Sequence, residues 1–120
     1  MASRSKRVNA RVRRRAAANC AGILDCSLFR ALGEPARIEL VRLLIARGRS
    51  DLATLASELP QDTSVISRHL AVLHRAGVVR REKHGRHVHF ELDGPELVAR
   101  LDGIAAELRR VAPLCCPGSP

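Results

Sequence analysis

Aromatic residues are nearly missing from this sequence of 120 residues, which contains no Trp, no Tyr and only two Phe. Hydrophobic residues still make up 46 % of the chain, which is enough to fill the core of one compact domain. That core must be built from Leu, Val, Ile and Ala, and this composition favours a mainly helical fold.

Long apolar runs are missing as well. No run approaches the roughly 20 residues of a membrane span, and no signal-peptide apolar segment follows the basic N-terminus, so we expect no membrane partner. Residues 1–18 alone are also compatible with a mitochondrial presequence, which is likewise rich in Arg and poor in acid. The rest of the sequence favours the bacterial cytoplasm.

Acidic residues are absent from residues 1–15, which carry seven of the nine excess positive charges. We expect these residues to form a basic, disordered arm beside a nearly neutral domain at residues 16–112. Such an arm suits phosphate backbones, because each Lys or Arg contact releases condensed counterions. The alternative is an arm that only aids solubility.

Cysteine is absent from the middle of the chain. The four thiols, Cys20, Cys26, Cys115 and Cys116, lie towards its two ends, and the last two form a vicinal pair in a predicted tail at residues 113–120. A secreted disulfide scaffold would spread its cysteines through the core. This placement instead indicates a separate thiol site that is not part of the core of the domain.

Hydrophobic periodicity predicts helices at residues 16–24, 27–32, 35–47, 51–59 and 64–76. Gly33, Pro35, Gly48, Pro60 and Gly77 separate them. The period then changes from 3.6 to 2, which predicts a hairpin of residues 78–83 and 87–92 around a tight turn.

A final helix from Pro95 to about Val111 carries apolar residues spaced 4, 3, 4 and 3 apart. This spacing is typical of a coiled-coil seam of two heptads. We favour a subunit interface over packing within one chain, because a small helical core leaves limited room for this helix. The residues of the seam are Leu97, Leu101, Ile104, Leu108 and Val111.

Two short helices, a glycine stop and a basic hairpin in this order predict DNA binding. Burial of Ile66, Leu70 and Leu73 would turn the polar face of their helix outwards, where an α-helix fits the major groove and Arg can read guanine. The hairpin places a cationic tip beside it. The predicted DNA-binding residues are Ser64, Ser67, Arg68, His69, Arg75, Lys83 and Arg86.

The segments Leu28–Arg37, Thr63–Val79 and Arg81–Arg86 resemble the opening, the recognition helix and the wing of the ArsR/SmtB family. The resemblance covers about residues 26–110. It implies a homodimeric winged helix-turn-helix repressor that pairs through its first and last helices and binds operator DNA. It also implies an inducer, usually a metal or metalloid ion, that lowers the affinity for DNA.

The sequence departs from the family at the usual inducer sites. The stretch Gly48–Ala53, where many arsenic and cadmium sensors carry thiols, has none, and the last helix has no His. The replacement ligands we predict are Cys20, Cys26, Cys115 and Cys116. We expect Cys20 or Cys26 of one subunit to join Cys115 and Cys116 of the other around the ion. Soft thiolates select soft ions, with As(III) and Sb(III) favoured, Hg(II) and Cd(II) next, and Zn(II) possible. We expect Arg109 and Arg110 to favour the thiolate form.

The sequence leaves three alternatives open. The thiols could serve as a redox or reactive-sulfur switch, or have no sensing role, and the protein could be a non-sensing architectural DNA binder. His87 and His89 share one strand face and could pair on a metal, although solvated or phosphate-facing imidazoles are the simpler interpretation. No nucleophile, carboxylate pair or phosphate loop predicts an enzyme.

Overall fold

The computed structural model of the chain describes residues 9–24 and 26–116. It divides into two compact units, the first formed by the two ends of the chain (Met1–Cys26 and Val98–Pro120) and the second by Ser27–Leu97. In chain order the elements are α1 (Ala10–Leu24), α2 (Ser27–Leu32), α3 (Pro35–Arg47), β1 (Ser50–Asp51), α4 (Leu52–Ser57), α5 (Thr63–Arg75), β2 (Val79–His84), β3 (His87–Leu92) and α6 (Gly94–Cys115).

Local signals set the boundaries of the helices in the second unit. Pro35 occupies the start of α3, where its missing N–H costs nothing, and Gly48 ends this helix with φ +76°. The carboxylate of Asp51 accepts a hydrogen bond from the Thr54 N–H at 2.8 Å and so caps α4. The bounds of α3 are those predicted, whereas α4 spans Leu52–Ser57 rather than residues 51–59 and α5 spans Thr63–Arg75 rather than residues 64–76.

The core of the second unit is aliphatic, as the composition predicts. Ile66, Leu70 and Leu73 of α5 are fully buried, which confirms the predicted inner face of this helix. On α3 the buried residues are Leu40 and Leu44, whereas Ile45 is 65 % exposed. The largest buried side chains are Leu28, Leu40, Leu44, Leu55, Ile66, Leu70, Leu73 and Val78.

The predicted hairpin is part of a three-stranded antiparallel sheet with the order β1-β3-β2. In the hairpin, Val79 lies opposite Leu92 and His84 lies opposite His87, across a turn at Gly85 with φ +63°. The short strand β1 was not predicted, since two residues carry no readable alternation. It pairs Ser50 with Phe90 and Asp51 with His89.

The first unit contains α1 and most of α6. Ala16 and Cys20 of α1 pack against Val111 of α6, with Leu114 at the margin of this small core. The mainly helical fold with a hairpin wing is therefore as predicted. In the part of the chain that the structure describes, no helix is long and apolar enough to cross a membrane.

Both terminal helices extend beyond their predicted bounds. α1 begins at Ala10 because the Asn9 side chain accepts a hydrogen bond from the Arg11 N–H at 2.8 Å and caps the helix. Residues 10–15 of the predicted disordered arm are thus helical, while residues 1–8 lie outside the described residues. At the other end α6 continues through Pro113 to Cys115 because Leu114 packs on the core of the first unit.

Candidate nucleic-acid interface and thiol cluster

The outward face of α5 carries most of the residues that the sequence assigns to DNA. Ser64, Ser67, Arg68 and Arg75 are exposed, while the residues between them fill the core. This arrangement follows from the helical period, which separates the two sets by about half a turn. The exposed face is polar and cationic, as major-groove contacts require.

A groove of about 290 Å³ separates α5 from the sheet within the second unit. Arg81 and Phe90 lie directly opposite each other in the sheet and contribute to one wall. Arg81 and His74 line the same groove but are not among the residues predicted to contact DNA. The signal for His74 was its spacing of seven residues from Ser67 on the exposed side of α5. The complete lining is Ser67, Ala71, His74, Arg75, Arg81 and Phe90.

His69 is half-buried rather than turned to solvent with its neighbours. Its Nδ1 lies 3.2 Å from Nη1 of Arg37, and because a guanidinium can only donate, Nδ1 is the acceptor. Arg37 also donates to the carbonyl oxygens of Ala31 at 2.6 Å and Arg30 at 3.0 Å. His69 therefore helps to join α5 to the end of α2, and a contact with DNA stays a prediction for its other nitrogen only.

The wing tip is exposed at Lys83 and Arg86, the two remaining residues predicted to contact DNA. Behind the tip, Glu82 accepts from Arg49 at 3.0 Å and from Nε2 of His84 at 3.1 Å. The hydrogen bond from His84 and the charge of Arg49 lower the pKa of Glu82, so this carboxylate is anionic. This carboxylate pairs with Arg49 and His84, behind the exposed cations of the tip.

The Cys20 thiol is buried in the first unit and donates to Oε1 of Glu107 at 3.6 Å. Glu107 also accepts from the guanidinium of Arg110, and this hydrogen bond lowers the pKa of the carboxyl. Burial, together with the hydrogen bond and the charge of Glu107, raises the pKa of Cys20. Arg110 does lower the pKa of Cys20, but burial and Glu107 outweigh it, so the expectation of a favoured thiolate is wrong for Cys20.

Cys115 and Cys116 lie at the end of α6, with their sulfur atoms 3.4 Å apart. Contact with Cys115 raises the pKa of Cys116. Cys115 and Cys20 line one cavity of about 220 Å³ between α1 and α6, whose other walls are almost entirely apolar. Three of the four predicted metal ligands therefore meet in one region of a single chain.

Cys26 does not join that region. It is half-buried and lines a different cavity, together with Gly22, Arg100, Gly103 and Ile104. All four cysteines are free thiols. Among residues 9–24 and 26–116, no three Cys, His, Asp or Glu side chains already surround a point where an ion could sit.

A bracing helix, an exposed polar helix and a basic hairpin define the winged helix-turn-helix class of DNA-binding transcriptional regulators. The family model HVO_A0114 matches residues 34–97, just over half of the chain. An HTH-type transcriptional regulator of Mycobacterium tuberculosis, Rv0081, is 34 % identical over 88 residues, which cover 73 % of this chain and 77 % of that protein.

A solved ArsR-like transcriptional regulator from Rhodococcus sp. RHA1 matches with a TM-score of 0.58 and 31 % identity, covering 72 % of this chain and 76 % of that one. The chain therefore belongs to the HVO_A0114 family and, with these relatives, to the ArsR family of DNA-binding transcriptional regulators. The arsenical resistance operon repressor of Escherichia coli K12 is 36 % identical over 70 residues, or 58 % of this chain and 60 % of that protein.

Proposed function

We propose that this regulator is a dimeric repressor whose operator complex dissociates when Cys20, Cys115 and Cys116 bind a thiophilic ion. The favoured ion is As(III) or Sb(III), with Hg(II) or Cd(II) next. The observation that carries the proposal is that Cys20 and Cys115 line one cavity, with the sulfur of Cys116 3.4 Å from that of Cys115.

The protonation of these thiols favours arsenite over the divalent ions. The raised pKa values of Cys20 and Cys116 keep both sulfurs protonated at neutral pH. A divalent ion must displace those protons into solvent. Arsenous acid does not, because three thiols and As(OH)₃ give three As–S bonds and three water molecules with no net release of protons. A buried thiol beside the Glu107 carboxylate therefore suits As(OH)₃ better than it suits Cd(II) or Zn(II).

The proposed ligands come from both terminal helices of one chain. The sequence prediction paired a thiol of the first helix with the C-terminal thiols of a second subunit, but Cys20 and Cys115 already share a cavity within one chain. Cys26 lines a different cavity and is omitted from the proposed set. Binding would draw the last turn of α6 towards α1 and change the packing of Ala16 and Val111.

The two terminal helices, α1 and α6, also form the proposed dimer interface. Within one chain Leu101 is 42 % exposed and Leu108 is 41 % exposed, although both belong to the heptad seam of α6. A second copy would bury this apolar face. Dimeric readers of this class contact half-sites about 34–36 Å apart, so altered packing at the seam would alter their match to the operator.

The proposed DNA contacts are the exposed residues of α5 with the wing tip. Ser64, Ser67, Arg68 and Arg75 would face the major groove, and Lys83 and Arg86 would meet the adjacent backbone. Arg81 and His74, which line the groove between α5 and the sheet, extend this surface.

The test is release of DNA by each ion. An operator is first selected from random-sequence DNA by the parent protein, and its complex is followed by fluorescence anisotropy while As(III), Sb(III), Hg(II), Cd(II) or Zn(II) is added. C115S/C116S should bind DNA like the parent but should no longer respond to As(III). The matched control is C26S, which removes a thiol outside the cavity and should respond like the parent. Equal release of DNA from C115S/C116S and the parent would contradict the proposal.

A redox switch is the second candidate, and the short distance between Cys115 and Cys116 is the observation that favours it. A two-electron oxidant would join the two sulfurs in a disulfide and take up both thiol hydrogens. Release of DNA by diamide without any metal, reversed by dithiothreitol, would identify this switch in place of ion binding.

A further inference from the structure

One face of the wing sheet gathers three histidines and two acids. Asp51 and Glu82 lie opposite His89 on its two sides, and His84 lies opposite His87. Because side chains alternate along a strand and opposite residues share a face, all five belong to the same side of the sheet. The other side carries Phe90, which is buried.

The imidazole rings on this face are close neighbours. The ring centroids of His84 and His89 are 6.1 Å apart, and those of His87 and His89 are 6.4 Å apart, so His89 lies next to both. Nε2 of His84 lies 3.1 Å from Oε2 of Glu82. Nδ1 of His89 is buried and finds no hydrogen-bond partner among the described residues. The cluster therefore holds more nitrogen ligands than its own hydrogen bonds use.

We propose that this face binds a divalent first-row transition ion of the Zn²⁺ or Ni²⁺ class through the imidazoles of His84, His87 and His89, with Glu82 as an oxygen ligand. Imidazole is the ligand that these ions share, and carboxylate oxygen completes such sites. The proposed histidine site differs from the thiol cluster in both ligand type and position in the chain. It does not depend on the proposed response to As(III).

Closing the site requires only movement of exposed side chains. The rings do not yet surround one point, since imidazole nitrogens must approach Zn²⁺ to about 2.0–2.1 Å. His84 and His87 are exposed and can turn about χ1 and χ2 without disturbing the core. The strand pairing fixes their backbones directly opposite each other beside the turn at Gly85. A bound ion would thus tie β2 to β3 just behind Lys83 and Arg86.

The experiment uses the full chain in a C115S/C116S background, which removes the exposed thiols from competition. Binding of Zn²⁺ and Ni²⁺ is measured by calorimetry, and Co²⁺ is added as a spectroscopic probe. We expect one ion per chain and a Co²⁺ spectrum without thiolate charge-transfer bands. H84Q/H87Q should weaken binding by at least about 10- to 100-fold, the loss seen when even an outer-shell partner of a metal site is removed.

The matched control is H74Q, which removes an exposed histidine from α5 and should leave metal affinity unchanged. H87Q alone replaces an exposed side chain at the turn and serves if the double variant fails to fold, as checked by circular dichroism. Equal affinity of H84Q/H87Q, or of H87Q in its place, and H74Q would overturn the proposal. A Co²⁺ spectrum with thiolate bands that persists in H84Q/H87Q would also overturn it.

Discussion

The thiol of Cys20 and the carboxylate of Glu107 meet across 3.6 Å although they stand 87 residues apart in the chain. The contact joins the first helix to the last and leaves the carboxylate shared between a thiol and the Arg110 guanidinium. Its consequence is that the most buried thiol of the protein is held in its protonated form. The chemistry of this site therefore begins from a neutral sulfur.

Replacing Glu107 by Gln should lower the pKa of Cys20 relative to the parent. Burial would still raise it, but the negative charge would be gone, and Arg110 would be released to favour the thiolate. The measurement is a pH titration of thiolate ultraviolet absorbance in a C26S/C115S/C116S background.

The same contact makes the free energy of unfolding depend on alkaline pH. Because the pKa of Cys20 is raised in the folded state, its contribution is fully present below the ordinary thiol pKa and is lost as pH rises through the raised value. E107Q should narrow the pH range over which this stability is lost, because the pKa of Cys20 would be raised less. An unchanged titration midpoint in E107Q would show that Glu107 does not set the pKa.

Asp51 makes the free energy of unfolding depend on acidic pH, and with the opposite sign. Hydrogen bonds from Thr54 lower the pKa of Asp51, so its contribution is present above the unfolded value and is lost as pH falls through the lowered one. D51A should cost about 0.5–2 kcal/mol near neutral pH by removing the cap. D51N should keep the cap but lose this pH dependence. Urea unfolding at several pH values measures both, and a D51N protein as acid-sensitive as the parent would contradict the assignment.

Arg37 should be among the more sensitive polar residues of the second unit. It donates to two carbonyl oxygens at the end of α2 and to His69 on α5, and hydrogen bonds of a charged group contribute about 1.5–3 kcal/mol. R37A should lose about that amount in chemical denaturation. R42A is the control, because the exposed pair of Arg42 with Glu39 contributes about 1 kcal/mol or less. Similar losses in the free energy of unfolding of R37A and R42A would show that Arg37 has no larger role than Arg42.

Arg68 should contribute to operator recognition rather than to folding. Its side chain is exposed on α5 opposite the buried Ile66, Leu70 and Leu73. R68A should cost about 1–3 kcal/mol in operator binding if it reads a base, and should relax the preference at one position. The readout is affinity for the selected operator and for single-base variants of it, with R42A alongside. Unchanged operator affinity in a folded R68A protein would rule out base reading.

The N-terminal cations should add affinity for DNA without adding specificity. Since α1 begins at Ala10, deletion of residues 1–8 is the clean test, and it removes Arg4, Lys6 and Arg7. The slope of log affinity against log salt should fall by about 0.9 for each phosphate that the shortened protein no longer neutralises, with operator preference retained. The same slope in both proteins would show that these residues do not touch DNA.

Local chemistry was enough to predict most elements of the second unit. Pro35 marks the start of α3 and Gly48 marks its end. Both could be predicted because a fixed φ and a positive φ are properties of single residues. The spacing of Ile66, Leu70 and Leu73 predicted their burial because one helical face can be read from sequence. The alternation of Val88, Phe90 and Leu92 predicted β3 for the same reason.

The two ends of the chain were harder to predict. The cap at Asn9 lies within a basic stretch that has no apolar period, and Pro113 predicts a stop, whereas packing of Leu114 carries α6 past it. A proline weakens a helix locally, but tertiary contacts decide whether the helix ends there. The dimer interface through the first and last helices stays a prediction.

The sequence by itself determined the class of the protein, because helical period, strand alternation and turn residues are local and together specify a winged helix-turn-helix. Only the tertiary structure decided which distant groups meet: Cys20 with Glu107 and Cys115, His69 with Arg37, and the histidines of β2 and β3 with one another. Charge, burial and hydrogen bonding at a site depend on such neighbours, and neighbours brought from remote positions leave no periodic trace in the chain.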